Sequence, residues 1–225
     1  MGETDVTSAS TVEGAGSPAK ARPAMFAPHR VIPDFLDEAA AAGLLALAQS
    51  EESQFQPSMV GRPGSAMVKA DVRISSVLRR KDVLRTLFDG RLRALAPSIV
   101  EDIGMSPFAV HKVEVELAAH GDGAFYKRHI DIHTGASATS QRVLSAVYYF
   151  HQQPKAFSGG ALRLHAIGGS GAFVDIEPVH NSLLVFPSWA PHEVMPISCP
   201  SGRFIDSRFA VNCWLRRQLA VDAGG

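Results

Sequence analysis

Val110-His111-Lys112-Val113-Glu114-Val115-Glu116-Leu117 settles into strict alternation from Val113 onward, with Val113, Val115 and Leu117 separated by glutamates. A period of two is the signature of a strand that buries one face. Similar short runs follow at Phe125 to Ile132, Arg142 to Phe150, Ala161 to His165, Phe173 to Ile176, Ser182 to Phe186, His192 to Ile197 and Phe209 to Leu215, divided by turn-forming residues. About eight strands in about 110 residues, preceded by helices, predict a jelly-roll or barrel with the helices packed on one side.

Upstream of Ala109 the pattern is helical. Asp37 reads as an N-cap ahead of an Ala/Leu-rich helix from Glu38 to Ser50, because its short carboxylate can accept from an unpaired N–H of the first turn. A second helical stretch spans about Asp82 to Ile103, with interruptions expected at Gly90 and Pro97. Between the helices, Ser53 to Ala70 carries Pro57, Gly61, Pro63 and Gly64. It reads as a long loop or irregular hairpin, of the kind that often covers a binding site. The first folded signal is Val31-Ile32-Pro33-Asp34-Phe35-Leu36, and residues 1 to 24, rich in Ser, Thr, Gly, Ala and Pro, are expected to form a disordered tail. The expected organisation is a single domain over 25 to 225, with helical support at 37 to 104 and a jelly-roll core at 106 to 216.

Twenty-two Lys plus Arg balance 22 Asp plus Glu, so no charge footprint for nucleic acid or a membrane surface is evident. The cluster Arg79, Arg80, Lys81, Arg85, Arg91 and Arg93 reads as a solvated helix face. Cys199 and Cys213 are too few for a disulfide framework and lack zinc-site spacing, which fits a reducing, cytoplasmic compartment. No run of about 18 apolar residues appears, nor does a signal-peptide core. Gly168-Gly169-Ser170-Gly171 matches neither a nucleophile elbow nor a P-loop and reads as a hairpin turn; Gly159-Gly160 reads as a bend before a strand.

His129-Ile130-Asp131 sets an imidazole and a carboxylate two apart, hence on one face of a strand. With His192 from a later strand they would complete the two-histidine, one-carboxylate set that leaves open positions on non-haem Fe(II). Nine histidines make such a triplet easy to meet by chance, so the surrounding sequence has to decide. His133 reads as a neighbour of the triplet or a surface residue. His111, His120, His151, His165 and His180 lack motif support and read as surface or strand-end residues.

Seven ordered segments supply that context: Tyr126-Lys127-Arg128-His129-Ile130-Asp131, Arg142 to Phe150, Ser158 to Leu164, Asp175-Ile176-Glu177-Pro178, Leu183-Leu184-Val185-Phe186, Pro191-His192-Glu193-Val194 and Arg208 to Trp214. Together they resemble the 2-oxoglutarate and Fe(II)-dependent dioxygenases, most closely the prolyl-4-hydroxylase-like branch that includes the hypoxia-inducible-factor prolyl hydroxylases. The resemblance implies a double-stranded β-helix, a jelly roll of cupin-like type. It implies Fe(II) on His129, Asp131 and His192, and 2-oxoglutarate as co-substrate, with ascorbate as a candidate reductant. Arg208 matches the basic residue that clamps the distal carboxylate of 2-oxoglutarate, and Tyr149 a tyrosine that donates to it. A guanidinium is suited to that role by its rigid pair of donors. Trp214 and Tyr126 match pocket-wall positions, and all three aromatics also read as packing residues.

Two departures stand out. Arg208 lies 16 positions after His192, farther than the family's basic residue usually does; Arg203 fits the usual interval better but follows the turn sequence Pro200-Ser201-Gly202, with Ser198 to Asp206 reading as a loop insertion. Where relatives carry a tyrosine ahead of the first ligand, this chain has Ala119. The implied activity is hydroxylation of an unactivated C–H, of a prolyl residue or a proline-like small molecule, with 2-oxoglutarate decarboxylated to succinate. Its partners would be 2-oxoglutarate, dioxygen and a peptide or small-molecule substrate chosen by Ser53 to Ala70 and Thr134 to Gln141. A cupin-like metal-dependent isomerase or hydrolase, or a non-catalytic sensor binding metal and 2-oxoglutarate, is the alternative. Asp131 argues against a halogenating relative, which would carry a small residue there.

Overall fold

The computed structural model describes residues 24–61, 66–79, 82–132, 139–168 and 171–219. Strands run in chain order as β1 (Arg30–Ile32), β2 (Gln56–Pro57), β3 (Arg73–Ile74), β4 (Ser76–Leu78), β5 (Lys112–His120), β6 (Phe125–His129) and β7 (Ser140–Phe150). They continue as β8 (Ser158–Gly159), β9 (Leu162–His165), β10 (Phe173–Ile176), β11 (Ser182–Pro187), β12 (His192–Val194), β13 (Ile197–Ser198) and β14 (Arg208–Gln218). Helix α1 covers Glu38–Ser50 and α2 covers Asp82–Asp102.

Seven strands form one antiparallel sheet in the order β1-β11-β7-β14-β5-β4-β2, five form another as β10-β9-β12-β6-β3, and β13 pairs with β8. The alternation that opened the sequence reading explains the layering. On the large sheet, Val113, Val115 and Leu117 of β5, Tyr148 and Phe150 of β7, and Val211 and Leu215 of β14 share one buried core with Leu44 of α1 and Leu84, Phe88, Leu92 and Ile99 of α2. The intervening residues Val147, Tyr149 and Ala210 point the other way and pack with Leu162, Leu164 and Ile176 of the small sheet. One sheet therefore serves two cores, as a jelly roll backed by helices requires.

Helix α1 begins as the sequence predicts, with the Asp37 carboxylate accepting from the Ala40 N–H at 2.8 Å. Helix α2 departs from expectation, running through Gly90 and Pro97 without a break. Both residues are exposed, and together they cost the helix roughly 4 kcal/mol. Burial of Leu84, Phe88, Leu92 and Ile99 returns roughly 2 kcal/mol each, so packing wins. Within the expected loop Ser53 to Ala70, Gln56–Pro57 pairs with β4. The run expected from His192 to Ile197 splits at Pro196, which has no N–H to give a ladder.

Gly168 and Gly171 take positive φ between the antiparallel strands β9 and β10, the expected hairpin. Arg79, Arg85 and Arg91 are exposed, as expected of a solvated face, but Arg93 is half-buried, donating to Asp89 at 2.7 Å and to the Val110 carbonyl at 2.5 Å. The expected tail, apart from Ala24, lies outside the described residues, as do Arg80, Lys81, His133, Gly169, Ser170 and most of Thr134 to Gln141. Among the described residues no helix is long and apolar enough to cross a membrane.

Candidate active site

His129 closes β6 and His192 opens β12, and the two face each other directly in the ladder between these strands. Strand pairing stops at His129, short of the expected Ile132, so Asp131 is aimed by other means. Its N–H donates to the Ser188 carbonyl at 2.9 Å, and its Oδ2 accepts from the Ser145 hydroxyl at 2.7 Å. Nε2 of His129 is then 3.8 Å from one Asp131 oxygen and Nε2 of His192 is 3.7 Å from the other. One ligand atom from each of the three residues lies within 4.8 Å of the others.

Nδ1 of His129 is 2.8 Å from the Lys127 carbonyl, and Nδ1 of His192 is 2.9 Å from the Ala190 carbonyl. A carbonyl only accepts, so both Nδ1 atoms carry protons and both Nε2 lone pairs face Asp131. This is the tautomer a metal needs, fixed by the backbone. Burial, and then the neighbouring His192, hold His129 well below the ordinary imidazole range. Burial opposes ionisation of Asp131, but His192, His129, the Ser145 hydroxyl and the Trp214 indole outweigh it and keep the carboxyl below its usual range. Two imidazoles around a carboxylate are a donor set suited to Fe(II).

Arg208 opens β14 and is 1% exposed. Among the described residues no carboxylate lies within ion-pair distance of it, its Nε has no hydrogen-bond partner, and its Nη1 donates to His120 Nδ1 at 3.4 Å. Its guanidinium carbon sits 4.8 Å from the centre of the Tyr149 ring, and the buried Tyr149 hydroxyl is likewise without a partner. Burial pushes that phenol up to about 12, with Arg208 opposing, so it is a donor at neutral pH. A buried cation with donors to spare and a buried hydroxyl beside it fit an anionic oxygen ligand such as a carboxylate. Arg203, by contrast, is 63% exposed and pairs with Asp206 at 3.3 Å.

His129, Asp131, His192, Arg208, Trp214 and Tyr126 line one cavity of about 50 Å³. The Tyr126 ring stacks on His129 at 3.6 Å between centroids, and Arg142 lies 3.8 Å over the Trp214 ring. A larger outer pocket of about 330 Å³ shares Tyr126, Asp131, Trp214 and Arg73 and is bordered by Met59 and Ile130. His120, Ser145, Arg73 and Asn212 also line the inner cavity, and sequence reasoning did not single them out for a role. Ser145 was legible in principle, since it shares a strand face with Val147 and Tyr149. His120 and His151, expected at the surface or strand ends, are buried.

Residues 115–216 match the 2OG-Fe(II) oxygenase superfamily. The match runs from β5 to β14, with His129, Asp131, His192 and Arg208 inside it. The chain's relatives include an uncharacterized PKHD-type hydroxylase of Synechocystis, 41% identical over 143 residues, covering 60% of this chain and 46% of that protein. Human Egl nine homolog 1 is 34% identical over 99 residues, covering 42% of this chain and 20% of that protein. The chain thus spans less than half the length of these curated relatives. Among solved structures, a Pseudomonas putida prolyl-4-hydroxylase superposes with TM-score 0.61 at 24% identity, covering 86% of this chain and 94% of that one. A Trichoplax adhaerens prolyl hydroxylase, solved with a hypoxia-inducible-factor oxygen degradation domain peptide, gives TM-score 0.60 at 19% identity, covering 84% and 83%. These likenesses show the same fold, the double-stranded β-helix expected from the sequence. The matched family is one that uses Fe(II) and 2-oxoglutarate, the donor set of His129, Asp131 and His192 fits such an ion, and the match does not favour the isomerase, hydrolase or sensor alternatives.

Proposed function

We propose that this protein is an Fe(II)- and 2-oxoglutarate-dependent dioxygenase that hydroxylates an unactivated C–H of a prolyl residue or a proline-like small molecule. The observation that carries the reading is the fully buried Arg208, without a carboxylate partner among the described residues, in the same cavity as two histidines and an aspartate with converging ligand atoms. In this reading His129, Asp131 and His192 hold Fe(II), and Arg208 and Tyr149 bind the distal carboxylate of 2-oxoglutarate. The bound metal and co-substrate supply dioxygen activation, with 2-oxoglutarate ending as succinate.

The chain's own residues do the rest. Lys127 and Ala190 carbonyls fix the histidine tautomers, and the Ser145 hydroxyl fixes Asp131. Tyr126 and Trp214 wall the cavity and keep water away from the reacting centre. The outer pocket offers aromatic and apolar surface at Tyr126, Trp214, Met59 and Ile130, while its charged residues already have partners, Arg73 with Glu116 at 3.3 Å and Arg142 with Glu114 at 2.5 Å. A neutral ring such as that of proline suits such a surface better than a charged side chain. The prolyl-4-hydroxylase and the peptide-bound prolyl hydroxylase among the structural relatives support the same class. We place the catalytic domain at residues 25–225 and the protein in the cytoplasm, where the buried free thiols of Cys199 and Cys213 stay reduced.

The test is incubation of the iron-loaded protein with 2-oxoglutarate, air and candidate prolyl peptides or free proline, followed by mass spectrometry. Gain of one oxygen atom by a prolyl substrate, matched by succinate, is the expected result. Succinate formed while every prolyl substrate stays unmodified would overturn the substrate assignment.

A further inference from the structure

We propose that His120 is a positioning residue for the co-substrate: it holds the Arg208 guanidinium from behind so that the remaining N–H groups are presented to the distal carboxylate. The inference rests on the functional reading above. Arg208 and His120 stand directly opposite each other on β14 and β5. Strand alternation sends Ala119 into the core shared with the helices, so the next residue, His120, is the one that enters the cavity beside the arginine.

The contacts around Arg208 divide into shape and direction. Gly160, with φ of +72°, leaves room for the arginine stem, since a Cβ there would come within 2.7 Å of Arg208 Cδ and of Ile197 Cγ1. The Tyr149 ring, 4.8 Å from the guanidinium carbon, limits it on another side. Room for the stem at Gly160 does not fix the rotation of the guanidinium plane. The Nη1 to Nδ1 hydrogen bond to His120 at 3.4 Å does, and a fork that must meet a carboxylate with two donors depends on that rotation. An imidazole accepts at Nδ1 only when that nitrogen is unprotonated. Burial, then the charges of Arg208 and Arg73, hold His120 well below its ordinary range, so the ring is neutral with one nitrogen free to accept, and a guanidinium that can only donate selects Nδ1 for it.

The test uses the full chain loaded anaerobically with Mn(II) and titrated calorimetrically with 2-oxoglutarate and with 2-oxopentanoate, which has the same carbon skeleton but no distal carboxylate. His120→Ala is expected to weaken 2-oxoglutarate binding about tenfold or more, leaving Mn(II) and 2-oxopentanoate affinities within about twofold. His120→Asn, whose amide oxygen can take the place of Nδ1, should restore most of the loss. His120→Leu, closer in volume, gives the same reading if the alanine variant does not fold. Unchanged 2-oxoglutarate affinity in the alanine or leucine variant would refute the proposal, and so would an equal loss for both oxo acids, which marks a general structural role. Failure of the unaltered protein to bind 2-oxoglutarate overturns the functional reading itself, and this proposal with it.

Discussion

Arg208 is charged, sealed inside the roll and without a carboxylate in contact among the described residues, which suits it to pair with the carboxylate of a bound ligand. Arg208→Ala is therefore expected to weaken 2-oxoglutarate binding by on the order of 2 to 5 kcal/mol while sparing metal affinity, and Arg203→Ala, in an exposed turn, to change it little. Calorimetric titration of both variants checks the ranking; the reverse order would move the clamp to Arg203. The same residue ought to limit stability. A buried charge without its partner is destabilising, and an apolar residue of similar size removes that cost. Arg208→Met should accordingly unfold at equal or higher urea concentration than the unaltered protein when 2-oxoglutarate is absent, and lose the stabilisation that saturating 2-oxoglutarate confers, about 2.7 kcal/mol at a hundredfold excess over Kd. Urea midpoints with and without the co-substrate decide it. Tyr149→Phe removes one donor and should cost about 1 kcal/mol of 2-oxoglutarate affinity.

Strands β5, β7 and β14 are tied on their solvent-accessible end by Glu114, which accepts from Arg142 of β7 at 2.5 Å and from Arg216 of β14. Burial works against the Glu114 charge, yet the two arginines outweigh it and hold the carboxyl below its reference value of 4.5. A depressed carboxyl stabilises the fold above its unfolded-state value, and that stability is lost as pH falls through the folded-state one. Glu114→Gln should thus be less stable than the parent at pH 7, with the difference shrinking as pH drops below about 4.5; urea unfolding at several pH values reads it, and a difference constant with pH would contradict it. Elements were legible where local chemistry and period agreed. Asp37 announced α1, and the alternation along Val113, Val115 and Leu117 announced β5. Gly90 and Pro97 misled because they lie on the exposed side of α2, where a distant core decides the outcome. Strands β2, β3 and β4 are two or three residues long, too short for any period to show.

At the scale of the whole molecule, the large sheet buries one face against the helices and turns the other toward the cavity that holds His129, Asp131, His192 and Arg208. Damage to the first face should therefore cost stability before it costs the site. Phe88→Ala, in the helix-side core, is expected to destabilise by about 3 to 5 kcal/mol yet retain the parent's Kd for 2-oxoglutarate wherever it remains folded. The candidate site was largely legible because its residues sit in ordered segments, each short and local. His120 was not, since its meaning comes from Arg208, 88 positions away in sequence and adjacent only once β5 and β14 pair. The aim of Asp131 was equally hidden, being set by Ser188 and Ser145 from two other parts of the chain. What joins these parts is the claim that one iron and one 2-oxoglutarate fill the space between the sheets. The most direct measurement is conversion of 2-oxoglutarate to succinate by the anaerobically iron-loaded protein after exposure to air. The account predicts succinate formation that stops on chelation and in each of His129→Ala, Asp131→Ala and His192→Ala; succinate formation undiminished in those variants, or none in the unaltered iron-loaded protein, would contradict it.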